Sequence, residues 1–135
     1  RWKHVASYDY RDEQGAVLFQ VQRLEGIDAD GQRHKSFPVR RPDAQGSAWL
    51  TGLGDTRKVL YNLPTIAVAI ASGTTIYVTE GEKDATSLTA RRLVATCNPF
   101  GAGKWIADYS ACLHGADVVV LVDATIPDGS TPTTS

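Results

Sequence analysis

The stretch "TIYVTEGEKDA" (residues 75–85) sets three carboxylates, Glu80, Glu82 and Asp84, and one ammonium, Lys83, directly behind a run of strand-forming residues. Crowded carboxylates repel one another and lose hydration when partly buried, so they persist there for one of two reasons. Either they sit in open solvent, or a cation or substrate offsets the cost. A further acid, Asp123, ends the run "VVVLVD". Two strand-end carboxylates on neighbouring strands would face each other across one crevice. They would offer hard oxygen ligands to a Mg²⁺ that keeps water in its other positions. An acid there can also act as general acid or base toward a hydroxyl. Each residue has an ordinary reading as well. Asp84 suits an N-cap of the following helix, Glu82 a solvated turn charge, and Lys83 a salt-bridge partner. In a metal crevice Lys83 would instead steer a phosphate, and Gly81 suits a tight turn between strand and helix.

"NPFGAGKW" (residues 98–105) invites a nucleotide-binding reading, yet Asn98 and Trp105 stand where a Walker loop needs Gly and Ser or Thr. The loop can still offer backbone N–H groups and Lys104 to a phosphate, or be a plain strand-to-helix connection. In "RHKSFPVRR" (residues 33–41), Arg33, Lys35, Arg40 and Arg41 flank Phe37. Such a basic edge suits a phosphate backbone, and it equally suits a strand guarded by charge against edge-to-edge pairing. His4, His34 and His114 show no ligand spacing, and Cys97 and Cys112 read as reduced thiols.

The elements that must position these groups change character midway. "HVASYDYRDEQGAVLFQVQRLEG" predicts a hairpin turning at "RDEQG". "RHKSFPVRR" predicts one further, edge-like strand, because Pro38 cannot donate to a ladder. "PDAQGSAWLTGLGD" (residues 42–55) reads as loop. From there the pattern predicts helix ("TIAVAIASG", ended by Gly73), strand ("TIYVTEG"), helix ("DATSLTARRL"), strand ("VATCNP"), helix within "GAGKWIADYSACLHG" and strand ("DVVVLVDA"). That alternation implies a small parallel sheet with right-handed crossovers, in which ligand sites collect at the carboxyl ends of the strands.

The 135 residues carry 42% apolar and 21% charged side chains, enough for one ordinary domain core. A formal net charge of −1 excludes a global pull toward nucleic acid or anionic membrane, so any such contact must come from local patches. The longest apolar runs, residues 65–71 and 118–122, fall far short of the roughly 20 residues of a membrane span. No membrane partner and a cytoplasmic location are expected. The chain has no methionine and opens on Arg1, which leads to the expectation of a segment from a longer protein.

With "VTEGEKDA", "ATCNPFGAGKW" and "ADVVVLVDA" in this order, residues 61–123 resemble a TOPRIM domain. They are most similar to the primase-like and primase-helicase type of phages and mobile elements. The upstream segment resembles the β-rich region that precedes the sheet in those proteins. The resemblance implies a Rossmann-like parallel sheet that binds Mg²⁺ (or Mn²⁺) and acts in phosphodiester chemistry. In the E-G-x-x-D element, Glu80 takes the place of the family glutamate, a general acid or base or a metal partner. Asp123 matches the first acid of the family's D-x-D. The second falls on Thr125, which has no carboxylate, and Asp128 is the next acid along. Losing one of three carboxylates weakens a hard-cation site.

The expectations are therefore an α/β chain with a β-rich subdomain over 1–60, a TOPRIM-like domain over 61–124 and a disordered polar tail over 125–135. Glu80 and Lys83 are the expected catalytic residues, and Glu80, Asp84 and Asp123 the metal ligands. Lys83, Lys104, Arg40 and Arg41 are the expected phosphate or nucleic-acid contacts. The expected role is the TOPRIM segment of a DNA primase or primase-helicase, assisting Mg²⁺-dependent nucleotidyl transfer. Its partners would be a single-stranded DNA template, nucleotides and a fused or associated helicase. The alternatives are a degenerate, non-catalytic module that binds single-stranded nucleic acid or a replication partner, and a nuclease of the same family.

Overall fold

The computed structural model describes residues 1–122 and the backbone of Thr133 and Thr134. Asp123, Thr125 and Asp128 lie outside the described residues, as does the expected tail apart from Thr133 and Thr134.

Two sheets make up the fold. The first is antiparallel: β1 (Trp2–Arg11), β2 (Val17–Ile27), β3 (Arg33–Ser36), β4 (Val39–Pro42) and β5 (Trp49–Thr51). β1 and β2 form the expected hairpin, with Gly15 at φ 90° in its turn, a conformation that glycine adopts without strain. β3 and β4 both pair with β2, one after the other along its length. The single strand expected over 33–41 is thus two strands, broken at Phe37 and Pro38, because proline has no N–H for the ladder. The loop expected over 42–55 contains β5, which pairs with β4 after a turn held by Asp43. Its three exposed residues between glycines leave too little alternation to read as a strand.

The second half is α/β. Helix α1 (Leu63–Ser72) ends on Gly73 at φ 72°, as expected from the sequence. There follow β6 (Ile76–Val78), α2 (Glu82–Ala90), β7 (Val94–Thr96), α3 (Ala107–Cys112) and β8 (Val118–Val120). The sheet order is β7-β6-β8, all parallel, with β9 (Thr133–Thr134) pairing antiparallel to β8 at the edge. The molecule is accordingly mixed α/β, an antiparallel sheet beside a small three-stranded parallel one. No described helix is long and apolar enough to cross a membrane.

Strand alternation puts a helix on each face of the parallel sheet. Ile76 packs with Ile66 and Ala69 of α1, while Ala95, Tyr77 and Val119 pack against Ala85 and Leu88 of α2. The antiparallel sheet closes over Tyr8, Tyr10, Phe19 and Val21, which pack against Val59 and Leu63. Tyr61 joins the halves. Its ring meets Tyr8 edge-on at 5.9 Å, and its N–H donates to Cys97 O at 3.0 Å.

Candidate active site at the strand ends

The loops after β6 and β7 and the chain leaving β8 emerge at one edge, the carboxyl ends of three parallel strands. The turn after β6 is firmly built. Thr79 is buried, its N–H donates to Thr96 O at 2.9 Å, and its hydroxyl donates to Gly81 O at 2.8 Å. This pinning turns Glu80 outward, where it is exposed. Gly81 is the N-cap residue, with φ −152° and ψ 173°, and among the described residues a Cβ there would meet nothing within 4 Å. The turn therefore does not need glycine's freedom, contrary to the expectation, because an extended backbone suits any residue.

Helix α2 begins at Glu82, earlier than expected, and Asp84 lies inside its first turn, where no side chain caps the helix. Asp84 is not the N-cap. With Glu82 it complements the helix dipole from within the first turn. Nor is Glu82 a solvated turn charge. It is 9% exposed, and the Tyr10 hydroxyl donates to its Oε2 at 2.7 Å. Tyr10 is wholly buried, stacked on Phe19 with ring centroids 4.6 Å apart, and its oxygen lies 3.8 Å from Cys97 Sγ. Burial, then the neighbouring Cys97 and Glu82, push the Tyr10 hydroxyl well above its ordinary range. Burial does the same to the Cys97 thiol. Both hold their protons, so Tyr10 stays a donor to Glu82.

Beside this turn lies a cleft of about 360 Å³, where α2 meets the antiparallel sheet. Glu80, Glu82, Lys83 and Asp84 line one wall, and Tyr8, Arg23, Lys35 and Phe37 the other. Arg23 Nε donates to Glu25 at 2.8 Å, and the guanidinium stands 5.8 Å from the Phe37 ring centroid. Glu25 is held below the usual carboxylate range by Arg23 first, and then by Lys35 and Lys83. Acidic and basic groups thus face each other across the cleft.

The structure brings Glu80, Lys83 and Asp84 together and leaves three expected residues elsewhere. Lys104 is exposed in the loop after β7, which Asn98 braces by donating to Pro99 O and Gly101 O, and it does not line the cleft. Arg40 lies 4.2 Å over the Trp49 ring and donates to Gln20 Oε1 at 2.8 Å. Arg41 donates to Thr51 O and Gly52 O at 3.0 and 2.8 Å. Both arginines on β4 are engaged in holding their own sheet. Asp123 lies outside the described residues. β6 and β8 are direct parallel neighbours, with Val78 opposite Val120 and Leu121 N–H donating to Val78 O at 2.9 Å. Among the described residues no group of three or more His, Cys, Asp or Glu side chains is placed to hold a metal ion.

Sequence reasoning missed Tyr10, Arg23 and Lys35 as members of this site. Arg23 did carry a signal, because it follows Phe19 and Val21 at strand period on the face that builds the core. An arginine at such a position has to find an anion or an opening. Comparison of this chain with family models, with curated proteins and with solved structures gave no match.

Proposed function

We propose that this chain is the TOPRIM-type segment of a DNA primase or primase-helicase, assisting Mg²⁺-dependent nucleotidyl transfer on a single-stranded DNA template. The single observation that supports this most is the strand order. The strand that runs into the Glu80 turn, β6, lies between β7 and β8, and β8, which precedes Asp123 in the sequence, is its direct parallel neighbour. That is the condition under which two hard oxygen ligands can share one cation.

The donor set fits such an ion in part. Glu80 is exposed and Asp84 half-buried in one cleft, whereas Glu82 is already committed to Tyr10. Glu80, Asp84 and Asp123 would hold a Mg²⁺ that keeps part of its water shell. The ion would supply charge neutralisation of the reacting phosphate. Lys83, exposed at the same lip, would steer that phosphate, and the exposed Glu80 would take or return a proton.

The test is an amide NMR titration of this chain with Mg²⁺, and with Mn²⁺ for paramagnetic broadening. Changes confined to 80–84 and to the residues around 123 support the reading. No site-specific change up to millimolar metal overturns it.

A second reading is a non-catalytic module of the same fold that binds single-stranded nucleic acid. It is favoured by Thr125 at the second D-x-D position and by the engagement of Glu82 with Tyr10. In that case Glu80→Gln in the intact parent leaves primer synthesis unchanged.

A further inference from the structure

We propose that the end of the antiparallel sheet beyond α2 is a docking shelf for the backbone of a single-stranded nucleic acid, gripped by Arg1, Lys3, Arg33 and Lys35. The argument starts from register. Along β1 and β2 the core face carries the cross-strand pairs Tyr10–Phe19, Tyr8–Val21 and Ala6–Arg23. Without interruption, the alternation would next bring His4 and Trp2 to that face. A bulge between His4 and Ala6 shifts β1 by one residue, so Lys3 pairs with Glu25, and Arg1, just before β1, lines one groove with Ile27. β3 adds Lys35 opposite Glu25 and Arg33 opposite Ile27.

One continuous face therefore passes from aromatic core to a basic end. There Lys3 and Lys35 flank Glu25, and Arg1 and Arg33 flank Ile27. All four basic residues are exposed, and among the described residues none takes part in an ion pair. They border a groove of about 780 Å³. Glu25, the one acid lining it among the described residues, is already bound by Arg23.

The occupant follows from charge and spacing. The chain carries a net −1, so this concentration of positive charge is local and calls for an anion. Its two basic rows are about 6.6 Å apart along the strands, close to the separation of successive phosphates in an extended single strand. Ile27, 56% exposed between Arg1 and Arg33, gives the floor an apolar patch for sugar or base. Lys35 lines both this groove and the cleft at Glu80, and Phe37, 47% exposed on the wall of that cleft, would serve as a stacking platform. A strand lying on the shelf would be led toward the acidic turn. The inference rests on the functional reading only for that destination.

The experiment is fluorescence anisotropy of a labelled oligothymidylate of about twelve nucleotides with the full chain in EDTA. Binding is expected at low salt and should weaken as salt rises, since phosphate contacts release counterions. Lys3→Glu with Arg33→Glu should lower affinity by about ten-fold or more, and Lys35→Ala by less. Lys58→Glu, on the separate cleft beside Glu13, should leave it as in the wild type. Thermal melting of the double variant checks that it folds, and Lys35→Ala carries the test if it does not. No binding in EDTA at low salt, or binding indifferent to these reversals, overturns the shelf. So does equal competition by polyglutamate, which would make the partner an acidic protein. Mg²⁺ titration separates the two ideas. Oligonucleotide binding without any metal response removes the catalytic reading and leaves the shelf, and the converse removes the shelf alone.

Discussion

The Tyr10 hydroxyl donates to Glu82 Oε2 at 2.7 Å, a buried hydrogen bond between residues 72 positions apart. It fastens the first turn of α2, and with it the acidic turn bearing Glu80, to the antiparallel sheet. A carboxylate taken out of water without a partner is expensive. The pair therefore acts as a strut between the halves of the molecule, and Glu80 inherits its position from it.

Tyr10→Phe keeps the ring stacked on Phe19 and removes the donor. Glu82 would then be left short of a partner in a buried place, at an expected cost of about 1–3 kcal/mol. Glu82→Gln preserves an acceptor for the hydroxyl and should cost less. Urea denaturation of the two variants decides the matter, and equal stabilities of wild type and Tyr10→Phe would contradict the strut.

Gly81→Ala is expected to fold with wild-type stability to within about 0.5 kcal/mol, because its backbone is extended and the space around a Cβ is open. If the same variant weakens the response to Mg²⁺ or nucleotide, glycine is there to admit a ligand. A large loss of stability would show that the turn needs glycine after all.

Tyr109 is 2% exposed, and its hydroxyl has no hydrogen-bond partner among the described residues. Tyr109→Phe should therefore be neutral or stabilising by about 1 kcal/mol. Burial, then the nearby Asp108 carboxylate, push this hydroxyl from 10.0 up to about 12. A raised value means that the folded state keeps a proton which the unfolded chain gives up. Its contribution is complete below about pH 10 and is lost as the pH climbs from about 10 to about 12. Tyr8, Tyr10 and Tyr61 shift in the same direction, so the variant should flatten the alkaline decline in the urea midpoint without removing it. An unchanged slope would rule out Tyr109 as a contributor.

Arg41→Ala removes two hydrogen bonds to carbonyls at the end of β5 and just after it, and the guanidinium that packs within 3.2 Å of where a Cβ on Gly54 would stand. A loss of about 1 kcal/mol is expected, with oligonucleotide binding in EDTA as in the wild type. If stability holds and binding falls, Arg41 belongs to the nucleic-acid surface and the shelf extends along β4.

Local pattern carried much of the fold. The turn at "RDEQG", the helix stopped by Gly73, and the three short apolar strands all stand where glycine, proline and alternation put them. What failed was short or edge-bound. β5 has only three exposed residues, and the break at Pro38 divides a strand without changing its composition.

Charge behaved differently. Glu80, Glu82 and Asp84 are equally acidic in the sequence, yet one is exposed, one is buried against Tyr10, and one sits half-buried inside a helical turn. "RHKSFPVRR" looks uniformly basic, yet Arg40 and Arg41 serve their own sheet while Arg33 and Lys35 remain unpaired among the described residues.

By itself the sequence determined the two-part architecture and the presence of acids at a strand end, since strand period, turn chemistry and helix stops act over a few neighbouring residues. Only the tertiary structure decided which of those acids is free. It also decided which basic residues face them, because burial and partnership depend on residues such as Tyr10 and Arg23 that lie dozens of positions away along the chain.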